Sequence, residues 1–188
     1  MTPDLTDTVE ALARRIVEQL TEEKLTLATA ESCTGGALAG ILSAAPGSGE
    51  IFEGGFVCYS KRAKERALGV SPAVIAETTA VSRRVVEAMA HGARDRLDCD
   101  FAVAITGVTG PEPDEDGNPV GRVHSAVAAR AGNVNHLEQT LQGVPPETLR
   151  EEAILGALRL LAAALDRRSP AIIPGDERSS TAQRASPR

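Results

Sequence analysis

A chain of 188 residues with 42% apolar side chains is long enough for one domain with a core of its own. Its net charge of −6 gives no basic footprint and argues against nucleic acid as the main partner, and no run approaches the roughly 20 apolar residues of a membrane span. Three cysteines at unrelated spacings (Cys33, Cys58, Cys99), and a start from Met1 to Leu5 without signal-peptide character, point to reduced thiols in the cytoplasm.

The first helix is marked by Val9, Leu12, Ala13, Ile16, Val17 and Leu20, an apolar stripe at helical period, with Asp7 expected as its N-cap and Glu10 as capping partner. Leu25 to Ala30 reads as the first strand, and Glu31 to Gly36 as the turn after it. A second helix is expected from there to about Ala45, stopped at Pro46-Gly47. Gly55 to Tyr59 reads as a second strand, leading into a short helix near Lys61 to Leu68. Ser82 then caps a helix whose inner face is Val85, Val86, Met89, Ala90, Ala93 and Leu97.

Phe101 to Thr106 is an unbroken apolar run, as expected of a strand covered on both faces. Gly107 to Pro111 forms a second glycine-containing loop, followed by an acidic segment, Glu112 to Asn118, long enough to act as a flap. Val120 to Arg130 and Val134 to Leu141 read as two strands of a hairpin, and Pro145-Pro146 as the opening of a last helix with Ile154, Leu158, Leu161 and Leu165 facing inward. Beyond Asp166 the composition is too poor in apolar residues to pack, so one domain over 1–166 and a disordered tail over 167–188 are expected. Alternating strands and helices ending in a hairpin predict a three-layer α/β/α sandwich with a mixed, mostly parallel sheet.

In such sheets ligands bind beyond the carboxyl ends of the strands. Ser32 lies just past such an end, and Thr34, Gly35 and Gly36 follow it. Glycines allow close backbone approach, and free N–H groups at a helix start favour an anion or oxyanion. The alternative is that Ser32 or Thr34 only caps the second helix. Lys64 shifts the balance, because the chain has three lysines against seventeen arginines and two of the three, Lys61 and Lys64, share one short segment. An amine can lose its proton when buried and a guanidinium cannot, so Ser32 and Lys64 are a physically reasonable nucleophile and base. Tyr59, the only tyrosine, could relay a proton or lay its ring on a flat base. Cys33 has no histidine near it in sequence and reads as a buried filler. Asp114-Glu115-Asp116 lacks the spacing of a calcium loop, so no metal is expected.

Taken together, ATAESCTGGALAG (Ala28 to Gly40), GSGEIFEGGFVCYS with Lys64, AVSRRVVEAMA, ITGVTGP and NPVGRV resemble the carboxy-terminal domain of the competence/damage-inducible CinA family, over about residues 8–165. The resemblance implies a serine/lysine amidase that converts nicotinamide mononucleotide to nicotinic acid mononucleotide and ammonia without metal or cofactor. It implies Ser32 as nucleophile, Lys64 as base and Tyr59 as an assisting hydroxyl. Thr34, Gly35, Gly36, Thr106, Gly107 and Gly110 would bind substrate. The partner would be a small nucleotide, with no nucleic acid and no membrane, and a homodimer is compatible with it.

Several positions depart from the family pattern. The usual Asn after Tyr-Ser is Lys61 here, Arg122 stands where a Thr is usual, and Gly143-Val144-Pro145-Pro146 replaces a Gly-Asp-Arg segment whose Arg would hold phosphate. Arg150, Arg122 or Lys61 are the cations that could take its place. Two other readings stand beside the amidase: a non-catalytic relative binding a nucleotide or protein in competence or damage response, and an amidase with a different substrate.

Overall fold

The computed structural model describes residues 5–167, with side chains from residue 8 onward. In chain order the elements are α1 (Leu5–Glu23), β1 (Leu27–Glu31), α2 (Ala37–Ala44), α3 (Ser48–Ile51), β2 (Phe52–Val57), α4 (Lys61–Leu68), α5 (Pro72–Thr78), α6 (Arg83–Leu97), β3 (Phe101–Gly107), β4 (Arg122–Ala129), β5 (Val134–Thr140) and α7 (Leu149–Asp166). The sheet order is β2-β1-β3-β4-β5. β1 pairs in parallel with both β2 and β3, while β4 pairs antiparallel with β3 and with β5. Four of the five strands therefore run one way and only β4 opposes them. This is the mixed, mostly parallel sheet of the expected three-layer sandwich.

Alternation along the strands decides which helices lie on which face. Leu27, Phe101, Val103, Ile105, Val123 and Val127 pack with α1, α2 and α7 into one core. On the other face the same strands present Ala28, Ala30, Ala102, Ala104, Ala126 and Ala128 to α6 and its neighbours α4 and α5. A face of alanines lets a helix sit close, and Val85, Val86, Met89, Ala90 and Ala93 of α6 are fully buried against it. Strand β1 is buried along its whole length, between two neighbours and two helical layers.

Several boundaries differ from the sequence expectation. Helix α1 is already under way at Leu5, one turn before Val9, so Asp7 lies inside it and is not its N-cap. β2 ends at Val57, leaving Cys58 and Tyr59 in the turn that enters α4. Pro145-Pro146 forms a turn ahead of α7 instead of its first residues: the Pro145 carbonyl accepts from the N–H groups of Thr148 and Leu149. The short helices α3 and α5 carried no periodic signal and went unforeseen. Of the tail expected over 167–188, only Arg167 is among the described residues, where it donates to Asn135 at 2.8 Å. Among the described residues no helix is long and apolar enough to cross a membrane.

Candidate active site

The carboxyl ends of β1, β2 and β3 meet at one point, and Ser32 sits there. Its N–H donates to the Ile105 carbonyl of β3, while the neighbouring Glu31 carbonyl accepts from Cys58 at the end of β2. These two bonds tie the turn after β1 to both flanking strands. Helix α4 starts just beyond, capped by Ser60, whose hydroxyl accepts from the Ala63 N–H at 3.1 Å. One turn in, Lys64 points back under the sheet ends with 1% of its surface exposed.

The Lys64 Nζ reaches the Ser32 Oγ at 2.8 Å, the Cys58 carbonyl at 2.9 Å and the Tyr59 carbonyl at 3.2 Å. Among the described residues no carboxylate pairs with it. An ammonium buried without a counter-ion is costly, and burial lowers the Lys64 amine to about 8. The partner set fixes where the freed lone pair goes. Two of the three partners are carbonyls and can only accept, so the two hydrogens of the neutral amine serve them. The Ser32 Oγ accepts from the ammonium and itself reaches the Tyr59 carbonyl at 3.5 Å; once the amine is neutral, its lone pair is left for the Ser32 hydroxyl. Chemically, this arrangement allows the amine to accept a proton from the hydroxyl.

Cys33, the neighbouring thiol, is placed for the opposite outcome. Burial pushes it up to about 12, so it stays protonated at neutral pH. Its carbonyl accepts from the Thr109 hydroxyl at 3.3 Å, which ties the turn to the loop after β3.

The turn itself is organised by a residue that the sequence reading passed over. Glu31, the last residue of β1, is fully buried, and its carboxyl oxygens accept from the Thr34 hydroxyl at 2.7 Å and from the N–H groups of Gly36 (3.1 Å), Leu38 (3.0 Å) and Ala39 (2.8 Å). Neither Ser32 nor Thr34 caps α2; Glu31 does, from before the turn. Gly35 and Gly36 hold φ values of 64° and 98°, which lets the chain fold back over that carboxyl group. The consequence for an oxyanion is specific. The N–H groups of Gly35 and Ala37 go to the Ser32 and Thr34 carbonyls, and those of Gly36, Leu38 and Ala39 go to Glu31. The N–H groups of Cys33 and Thr34 have no carbonyl or carboxyl acceptor among the described residues. A lone acid closing an apolar strand just before a double glycine was the available signal for Glu31.

A cavity of about 590 Å³ opens over Ser32. From the turn after β1 it takes Ser32 and Cys33, with Tyr59, Lys61 and Lys64 on one side and Thr106, Gly107 and Gly110 on another. Thr34, Gly35 and Gly36, expected to bind substrate, are not in its wall, because the Thr34 hydroxyl and the Gly36 N–H are turned to Glu31. Tyr59 is 78% exposed, and the atom it brings to Lys64 is its carbonyl oxygen. Tyr59 lines the cavity as well. Thr106 donates to the Ala80 carbonyl at 3.0 Å, and any side chain at Gly107 would press into the Arg122 carbonyl and Val123.

The acidic flap forms one more wall. Asp114 folds it by accepting from the N–H groups of Asp116 and Asn118 and from the Asn118 amide, and Asn118 is tied in turn to Thr79. Lys61 holds the tip, with its ammonium 2.7 Å from Asp116 and 2.9 Å from Glu115. These carboxylates raise the Lys61 pKa above its ordinary value. No group of histidine, cysteine and acidic side chains suited to a metal occurs among the described residues.

A family model of the CinA C-terminal domain matches residues 9–165. A CinA-like protein of Frankia casuarinae is 40% identical over 172 residues, which cover 92% of this chain and 38% of the relative. A CinA-like protein of Synechococcus sp. (strain CC9902) is 48% identical over 123 residues, covering 65% and 29%. The chain thus spans about a third of the length of these curated relatives. Among solved structures, a competence/damage inducible protein from Agrobacterium tumefaciens superposes with a TM-score of 0.80 at 40% identity, covering 88% of this chain and 98% of that one. A competence-damaged protein (CinA) superfamily protein from Escherichia coli gives 0.80 at 38% identity, covering 87% and 94%. A match that runs from α1 to the end of α7, shared with solved chains of the same fold, makes this protein a member of the CinA family, built on that family's C-terminal domain.

Proposed function

We propose that the chain is an amidase that hydrolyses the carboxamide of nicotinamide mononucleotide to nicotinic acid mononucleotide and ammonia. The observation that carries this reading is the buried Lys64 amine, 2.8 Å from the Ser32 hydroxyl, whose other two partners are carbonyl oxygens. In the first half-reaction the Ser32 Oγ attacks the amide carbon while its proton passes to the Lys64 Nζ. The developing oxyanion is met by the N–H group of Cys33, the residue after Ser32 that also lines the cavity. Lys64 then returns the proton to the departing nitrogen, the C–N bond breaks, and ammonia leaves an ester on Ser32. In the second half-reaction Lys64 takes a proton from water, which attacks the ester carbon; Lys64 then delivers that proton to the departing Ser32 Oγ, the ester C–O bond breaks and the acid leaves. Tyr59 lines the cavity and is exposed, so its ring offers a flat apolar surface for the pyridine ring.

Ammonia release from nicotinamide mononucleotide tests the reading. The wild-type chain should turn it over, and Ser32→Ala should abolish turnover with the fold intact. Release from other carboxamides alone would point to a different substrate, and binding without any release to a non-catalytic relative.

A further inference from the structure

We infer that His124 and His136 form a one-proton lock, which holds the edge strand β5 on β4 behind the cavity at neutral pH and gives way in acid. The two histidines come from neighbouring strands and share the sheet face that α6 covers. His124 pairs with Thr106 of β3, a cavity-lining residue, on one side and with Glu138 of β5 on the other. His136 lies two residues before Glu138, on the same face of the edge strand. The His124 Nδ1 stands 3.0 Å from the His136 Nε2, with ring centroids 5.3 Å apart and ring planes 23° apart. That centroid separation is the nitrogen–nitrogen distance plus one ring radius at either end. The rings therefore meet edge to edge, their nitrogens point at each other, and a single proton lies between them.

The surroundings assign that proton. The other nitrogen of His124, Nε2, is buried without a hydrogen-bond partner and faces the Glu138 Oε1 at 3.7 Å. A carboxylate repels a bare ring nitrogen and attracts an N–H. His124 thus carries its hydrogen on Nε2 and accepts at Nδ1 from the His136 Nε2–H. His136 is half-buried, and its own Nδ1 is where the first added proton goes. The bond survives that proton, since an imidazolium still donates. A second proton, on His124, sets N–H against N–H and parts the rings.

Charges of both signs face the pair. Arg122 on β4 and Arg83 on α6 oppose protonation, while Glu138 on β5 and Glu87 on α6 favour it. Burial outweighs the carboxylates and lowers both histidines below the ordinary 6.5. Below pH 6.5 the unfolded chain takes up protons that the native pair refuses, so stability falls as the pH drops.

Nuclear magnetic resonance and urea unfolding test the lock, and neither depends on the amidase reading. Ring nitrogen shifts of the wild-type chain at about pH 7.5 should show both histidines protonated at Nε2 and bare at Nδ1. On acidification the two rings should titrate as a coupled pair below the ordinary histidine value. Between about pH 7 and about pH 5 the unfolding equilibrium constant should rise about tenfold more in the wild type than in His124→Phe/His136→Leu, the worth of one pKa unit. His136→Gln keeps an amide donor for the His124 Nδ1 and loses one titrating ring, so its rise should fall between the two, and it carries the comparison should the double variant not fold. A His124 hydrogen on Nδ1, independent titration of the two rings at the ordinary value, or a variant whose curve stays parallel to the wild type would each overturn the inference.

Discussion

The Thr34 hydroxyl donates to Glu31 at 2.7 Å, so the residue two places after Ser32 is locked to the one just before it. Three backbone N–H groups of the α2 entry converge on the same carboxyl group. The Ser32 turn therefore owes its shape to a buried acid whose carboxyl oxygens bond to Thr34, Gly36, Leu38 and Ala39 and not to Ser32 or Lys64. Replacing Glu31 by Gln sets an amide NH₂ against N–H donors it cannot accept from. We expect Glu31→Gln to lose about 1–3 kcal/mol of stability in urea unfolding, the worth of buried groups left unpaired. It should also lower kcat about tenfold or more through a displaced oxyanion donor, with KM changed less than threefold. A stable variant with unchanged kcat would show that the turn holds its shape without the carboxylate.

Lys61 shields the acidic flap. Lys61→Ala leaves Asp116 and Glu115 uncompensated at the cavity mouth, where they repel an anionic substrate. KM for nicotinamide mononucleotide should rise several-fold at low ionic strength and recover toward wild type near 0.15 M salt, where the screening length is about 8 Å. The kcat should change little. A KM independent of both the mutation and salt would place the flap away from the bound anion.

Much of this was legible in the sequence, for identifiable reasons. The unbroken run Phe101 to Thr106 and the stripe of α6 are periodic signals set by burial, and both elements stand where that periodicity puts them. Ser32 and Lys64 could each be singled out, one from a glycine turn at a strand end and one as a rare lysine. Their 2.8 Å contact could not, because it depends on how α4 folds back across 32 residues of chain. Glu31 escaped because a carboxylate at a strand end reads as solvated until the helix it caps is in place.

The buried Lys64 amine should leave a signature in stability. Its native pKa, about 8, lies below the 10.5 of an ordinary lysine. Below pH 8 both folded and unfolded chains hold the proton, and the native state carries the full cost of burial. Between 8 and 10.5 the unfolded chain binds the proton and the native chain does not, so stability rises with pH. Relative to Lys64→Met, the wild type should gain on the order of 3 kcal/mol across that interval, at about 1.4 kcal/mol per pKa unit. Parallel pH–stability curves for the two proteins would mean that the amine titrates alike in both states.

The thiols should be inert. All three cysteines are buried, and burial pushes Cys33 up to about 12 and Cys99 to about 11. Iodoacetamide at pH 8 should alkylate the native protein far more slowly than the urea-unfolded chain, in which free thiols titrate near 8.5. Cys33→Ala should keep kcat within about threefold of wild type, while Ser32→Ala loses it. Rapid alkylation of Cys33 with parallel loss of activity would instead make the thiol the reactive group.

The measurement that bears most directly on the account is the pH dependence of kcat/KM for ammonia release from nicotinamide mononucleotide, in the wild type and in Lys64→Arg. A neutral amine is the active form, so the wild-type rate should climb with pH through an ionisation near 8 and level off above it. Arginine keeps the positive charge but stays protonated at any working pH. Lys64→Arg should lose about two to four orders of magnitude in kcat, the usual worth of general-base catalysis, and its profile should lose the step near 8. A Lys64→Arg enzyme with near wild-type kcat, or one that keeps the same step, would contradict the assignment of Lys64 as the base on Ser32.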